Sequence, residues 1–132
     1  MSKIERFEDI LAWQKARVLT QKVYACTKQS LFARDFGLRD QIQRASVSTM
    51  ANIAEGFERG GDREFIQFLS TSKGSSGEVR SHLYVALDQN YVTQEQFTEL
   101  FGQAEEVSRL TSGFMTYLQQ SKVGGNKFKR AN

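Results

Sequence analysis

The sequence predicts an all-α protein, an antiparallel up-down-up-down four-helix bundle. Three observations lead there. Apolar residues recur at steps of three and four along four long segments, the spacing that gathers them on one helix face. The links between these segments are short, which favours antiparallel neighbours. The 132 residues include no proline, the residue that breaks a helix interior at roughly 3 kcal/mol. No strand-length alternation competes with this pattern.

The first segment covers residues 7–28, where Ile10, Leu11, Ala16, Leu19, Val23 and Cys26 repeat at helical steps. Glu8 and Asp9 stand in its first turn, where the helix dipole favours negative charge. Residues 30–37 break the pattern. The second segment, residues 38–57, aligns Leu38, Ile42, Ala45, Thr49, Ile53 and Phe57 and is dense in small side chains that let a neighbour approach. Gly56 or Gly60 then offers a left-handed cap.

Asp62 reads as the N-cap of the third segment, which extends to residue 90 through Phe65, Leu69, Ser72, Ser76, Val79, Leu83 and Ala86. Lys73-Gly74-Ser75-Ser76-Gly77 lies within it, and each glycine costs a helix roughly 1 kcal/mol. A loop there would reset the stripe. Its phase is kept, so the segment reads as one long helix. Thr93 and Gln96 form a capping box that opens the fourth segment. Phe97, Leu100, Ala104, Val107, Thr111, Phe114 and Leu118 carry its stripe to residue 121. The bundle is thus assigned to residues 1–122, and residues 123–132 are read as a basic flexible tail.

Charge is unevenly spread. Residues 1–44 hold nine Lys/Arg against five Asp/Glu, residues 45–121 hold five against ten, and the last eleven hold four cations and no acid. The longest apolar runs fall far short of the ~20 residues a membrane helix needs, and the charged start lacks a signal peptide's apolar stretch. The expectation is a cytoplasmic protein with no membrane partner. Cys26 is alone, so no internal disulfide forms, and it reads as a small buried hydrophobe.

Enzyme constellations fail on residue count. A carboxylate-bridged metal bundle needs two Glu-x-x-His motifs. The chain has one histidine, His82, with Glu78 one turn before it. That pair reads as a polar contact on one helix face. A hydrolytic triad has only His82 for its base, and Gly56…Gly60-Gly61 lacks both the Lys-Ser/Thr and the strand of a phosphate loop. No catalytic residue, metal or cofactor is called for. Gln43, Arg44, Asn52 and Glu55 stand out as polar residues in a small and apolar stretch, and a buried polar group left unpaired costs roughly 1–3 kcal/mol. They are read as a structural polar network tying the second helix to the third or to a neighbouring subunit.

Gln43-Arg44-Ala45-Ser46-Val47-Ser48 followed by Asn52-Ile53-Ala54-Glu55-Gly56 resembles the R-A-x-x-S … N-I-A-E-G signature of the four-helix-bundle proteins encoded in 23S ribosomal RNA intervening sequences. Phe7…Trp13-Gln14-Lys15-Ala16, Phe36-Gly37-Leu38, Phe65…Phe68-Leu69 and Gly74-Ser75-Ser76-Gly77-Glu78 extend that resemblance over about residues 7–120. It implies a bacterial, cytoplasmic bundle that forms a homopentamer and associates with nucleic acid. The chain is also similar to the accessory variability proteins of retroelements, which engage a reverse transcriptase.

For a nucleic-acid partner, RNA or DNA, the candidate residues are Lys15, Arg17, Lys22, Lys28, Arg39, Lys127, Lys129 and Arg130. A ring of subunits repeats each such charge around its axis and strengthens the field. The competing expectation is a scaffold or accessory subunit whose ligand is another protein.

Overall fold

The computed structural model describes residues 4–123. A 3-10 turn, Phe7–Asp9, leads into α1, Leu11–Thr27. A short α2, Ser30–Arg34, precedes three long helices: α3, Phe36–Arg59; α4, Asp62–Asp88; and α5, Gln94–Val123. There is no strand among the described residues. The four long helices close a ring in which α1 packs on α3, α3 on α4, α4 on α5 and α5 back on α1.

Each packing is antiparallel, as the side-chain links show. Thr20 donates to the Ser46 carbonyl and Gln43 to Thr27, so α1 and α3 run opposite ways. Ser72 donates to the Thr49 carbonyl and Ser48 pairs with Ser75 between α3 and α4. Phe65 meets Phe114 at one end of the α4–α5 pair and Tyr84 meets Phe97 at the other. This is the up-down-up-down bundle that the periodicity predicts.

Leu19 and Val23, Ile42 and Ile53, Phe65, Leu69, Val79 and Leu83, and Val107 and Leu118 fill the core, all fully buried. Burying one such side chain contributes about 1.5–3 kcal/mol. α4 runs unbroken through residues 74–77, with Ser72, Ser75 and Ser76 buried in phase with Leu69 and Val79. The serines fit because their hydroxyls find partners across the interfaces, Ser75 on the Ser48 hydroxyl and the other two on main-chain carbonyls. Ser72 donates to the Thr49 carbonyl at 2.6 Å and Ser76 to the Ala104 carbonyl at 2.7 Å.

Four boundaries differ from expectation, each for a local reason. The first helix begins at Leu11, not at residue 7, because the Asp9 carboxylate accepts the Glu5 and Arg6 N–H groups and closes a separate turn before extended Ile10. The two amides also hold the Asp9 carboxyl below its ordinary pKa. The break at residues 30–37 contains α2, whose Phe32 is fully buried and stacks on Tyr91 at 5.3 Å. Next, α3 starts at Phe36, two residues early. Asp35 caps it by accepting the Leu38 N–H at 3.1 Å, and also accepts the Tyr91 hydroxyl at 3.0 Å, which raises that phenol's pKa. Finally, Gly61, not Asp62, occupies the N-cap of α4. Asp62 stands one residue further in, still favoured by the dipole.

The two candidate cap glycines divide their roles. Gly60 is the left-handed cap of α3, with φ 93°. Gly56 is a helix-interior residue under α4: a Cβ there would stand 2.7 Å from the Phe68 Cβ and 2.8 Å from the Phe65 ring. The last residue of N-I-A-E-G therefore sets the closest approach of α3 to α4. The Thr93–Gln96 capping box forms as expected, each side chain bonding the other's main-chain N–H at 3.1 and 2.9 Å.

Candidate nucleic-acid interface

The basic candidates of the first helix do not converge. Lys15 and Lys22 share one face of α1, but that face lies against α5, where Lys15 stands 4.0 Å from Glu106 and Lys22 pairs with Glu99. Arg17 projects on another side, exposed, its guanidinium 5.9 Å from the Trp13 ring centre. Lys28 and Arg39 occupy the end of the bundle near α2. Lys28 is exposed and has no acidic partner among the described residues. Arg39 bonds Asp40 at 3.3 Å and the Ala33 carbonyl at 3.1 Å while lying 4.8 Å over Phe36. Lys127, Lys129 and Arg130, and with them the assignment of a flexible tail, lie outside the described residues.

The polar residues of α3 separate into two directions. Gln43 turns to α1 and donates to Thr27 at 2.9 Å. Arg44, Asn52 and Glu55, spaced at helical steps with Ser48, line the outer groove between α3 and α4. Within that groove Asn52 donates to both the carbonyl and the hydroxyl of Ser48, and Ser48 joins Ser75 of α4 at 2.9 Å. Glu55 pairs with Arg59 of its own helix at 2.8 Å. Arg44 forms no ion pair and borders a cleft of about 240 Å³ together with Gln41, Ser48, Glu78 and His82. Glu78 and His82 share this cleft without bonding each other. The four residues are therefore not one connected network within the described residues: of them Gln43 bonds another helix directly, and Asn52 reaches α4 only through Ser48.

The described residues hold no cluster of three or more His, Cys, Asp or Glu side chains placed to bind a metal. No helix among them is long and apolar enough to cross a membrane. Burial pushes the Cys26 thiol up to about 11, leaving it protonated and unreactive at neutral pH.

Sequence reasoning missed a group on the α4–α5 side. Tyr84 is 52 % exposed, and its ring lies 5.1 Å from Phe97 and 5.5 Å from Phe101. Arg80 lies over Phe101 at 5.9 Å. The available signal was a second stripe, Lys73, Gly77, Arg80 and Tyr84, one residue on from the core stripe of the same helix.

The model of the 23S rRNA-intervening sequence protein family matches residues 8–113. The chain belongs to that family. Its bundle resembles the crystal structure of a protein of unknown function from the S23 ribosomal protein family of Bacteroides thetaiotaomicron VPI-5482. The TM-score is 0.75 at 21% identity, over 80% of this chain and 98% of that one. At that identity the likeness establishes a shared fold. No curated protein matches the chain. Within the 23S rRNA-intervening sequence protein family match fall α1 to α4 and two thirds of α5, so the R-A and N-I-A-E-G residues of the α3–α4 groove and the α4–α5 aromatic group all belong to the family region.

Proposed function

We propose that this chain is a non-catalytic, self-assembling cytoplasmic protein that binds RNA. The observation that carries the reading is the placement of arginine guanidinium groups over aromatic rings: Arg17 over Trp13, Arg39 over Phe36 and Arg80 over Phe101. Aromatic faces and guanidinium planes are the surfaces on which unpaired RNA bases stack. Phe36 is 64 % exposed, an apolar ring held in water under the Arg39 guanidinium.

Self-assembly, as a pentamer in the family resemblance, is supported by Gly74, Gly102 and Gly113. These glycines sit within helices, and beyond their own turns of helix no atom of the described residues lies within 4 Å of where a Cβ would stand at any of them. Each costs the isolated chain roughly 1 kcal/mol relative to alanine, a cost with a purpose where another backbone packs close. A ring would also multiply the unpaired cations Arg17, Lys28 and Arg44, and with them the field a polyanion meets.

The test is a salt titration of RNA binding alongside the solution mass. Affinity should fall linearly with log salt as counterions are released, from a protein heavier than one chain. Absence of binding at low salt overturns the RNA reading. A scaffold for another protein, such as a reverse transcriptase, then takes its place; Leu31 of α2, 55 % exposed, favours that second reading.

A further inference from the structure

We infer that the groove between α4 and α5 around Arg80, Tyr84 and Phe101 receives the unpaired bases of a single-stranded nucleic acid. This rests on the proposed RNA binding and locates it at a surface distinct from the basic residues of α1.

Lys73, Gly77, Arg80 and Tyr84 follow one another at steps of four, three and four, so they form a single ridge along α4. The buried stripe of the same helix runs one residue behind, through Ser72, Ser76, Val79 and Leu83. Offset from the core by that amount, the ridge borders α5, as the contacts of Tyr84 and Arg80 with Phe101 show.

The ridge is built to present flat groups. Phe97 is nearly buried and lies 5.2 Å from Phe101. Together the two rings support Tyr84, which stands at 74° to Phe101 and keeps half its surface open. A ring fixed in this way loses little further freedom when a base stacks on it. Arg80 lies back along the helix over Gly77: a Cβ at that glycine would stand 3.5 Å from the arginine's terminal nitrogen. Its Nε is buried without an acceptor, and no carboxylate pairs with Arg80 or Lys73 among the described residues. Neither cation therefore has an ionic partner among the described residues.

Charge selects bases over phosphates as the occupants. Glu105 of α5 shares this side of the bundle with Phe101, and Asp88 ends the ridge one turn beyond Tyr84. These acids oppose a phosphate row in the middle of the groove. They do not oppose a neutral base lying on Tyr84 with its edge toward Arg80. The backbone of the strand is then left to the cations at the margins, Lys73 among them.

The experiment uses the full chain and fluorescence anisotropy with single-stranded RNA, single-stranded DNA of the same sequence and the corresponding duplex. Strands of about a dozen nucleotides suffice for a site of this kind. Tyr84→Ala should weaken single-strand binding by about 5- to 100-fold, the range for losing one stacked base. It should leave the slope against log salt unchanged, because stacking releases no counterions. Tyr84→Phe should restore affinity, and Arg80→Gln should weaken it with its melting curve intact. A stronger loss with RNA than with DNA would place the ribose in the groove; equal losses would place the base alone there, and either outcome supports the site. Wild-type affinity in both Tyr84→Ala and Arg80→Gln, with salt-dependent binding preserved, overturns the groove and leaves the RNA reading standing. Equal loss for duplex and single strand also overturns it, as does lost self-association with binding intact, which assigns the ring to a protein interface. A wild-type protein that binds no single strand overturns both.

Discussion

At Gly56 one hydrogen in place of a methyl group decides how near two helices lie. Phe65 and Phe68 of α4 fill the space a side chain would need, at distances no real Cβ keeps. Gly56→Ala must push backbone apart, unlike a change that moves only a flexible side-chain end. The expected cost is about 1–3 kcal/mol, the range for overpacking a tight interior, read as a lower urea midpoint. An alanine variant as stable as the wild type would mean that the helices have slack. Neighbouring Glu55 behaves otherwise. Its exposed ion pair with Arg59 is of the i,i+4 kind worth about 0.3–0.5 kcal/mol, so a larger role for this motif residue has to come from assembly. The hydroxyls of Ser72 and Ser76 show a third case, in which a polar residue keeps its place in an apolar stripe by bonding the facing backbone.

At the scale of elements, two of the long helices are bounded by a specific device. α3 begins on the Asp35 carboxylate and ends at left-handed Gly60. α5 begins on the reciprocal Thr93–Gln96 box. Thr93→Ala removes the hydroxyl that accepts the Gln96 N–H and should cost about 1 kcal/mol in thermal or urea unfolding. Because Gln96 still reaches the Thr93 main chain, Thr93→Ser should recover most of it. The α4 glycines, which look like a break in isolation, are carried through by packing on both sides. Most helix stability in a protein comes from tertiary burial of one face rather than from propensity. That face continues through Ser72, Ser75, Ser76 and Val79.

For the whole molecule, the pattern of surface charge follows from which helices are neighbours. α1 and α5 meet as first and last members of the ring, and their facing Lys15–Glu106 and Lys22–Glu99 pairs neutralise two of the cations that the chain order alone presents as free. The cations without a carboxylate partner among the described residues are distributed, among them Arg17 on one face, Lys28 near α2, Arg44 beside the α3–α4 cleft and Lys73 and Arg80 on the α4–α5 ridge. A monomer with charges so dispersed is a weak polyanion binder, and the proposed assembly would concentrate them. Gly74→Ala tests whether the open helical glycines belong to such an assembly. It should raise the unfolding free energy of the dissociated chain by about 1 kcal/mol while lowering the solution mass. A stabilised variant of unchanged mass would remove Gly74 from any interface.

The number, order and phase of the four long helices were legible in the amino-acid sequence because they rest on local physics; the short α2, lying in the break at residues 30–37, was not. A period of 3.6 residues is written in each segment by itself, and a capping box needs only four residues. Even the continuity of α4 could be read, from a stripe that kept step across Gly74 and Gly77. The partners of surface side chains were not legible. Lys15 and Glu106, or Tyr84 and Phe101, are far apart in the chain, and only the placement of α5 between α1 and α4 makes one pair an ion bridge and the other an exposed aromatic ridge. The same placement sent Gln43 to α1 while Arg44, its neighbour in sequence, faced a cleft with α4. Successive helical residues point about 100° apart, so a shared motif does not give them a shared destination.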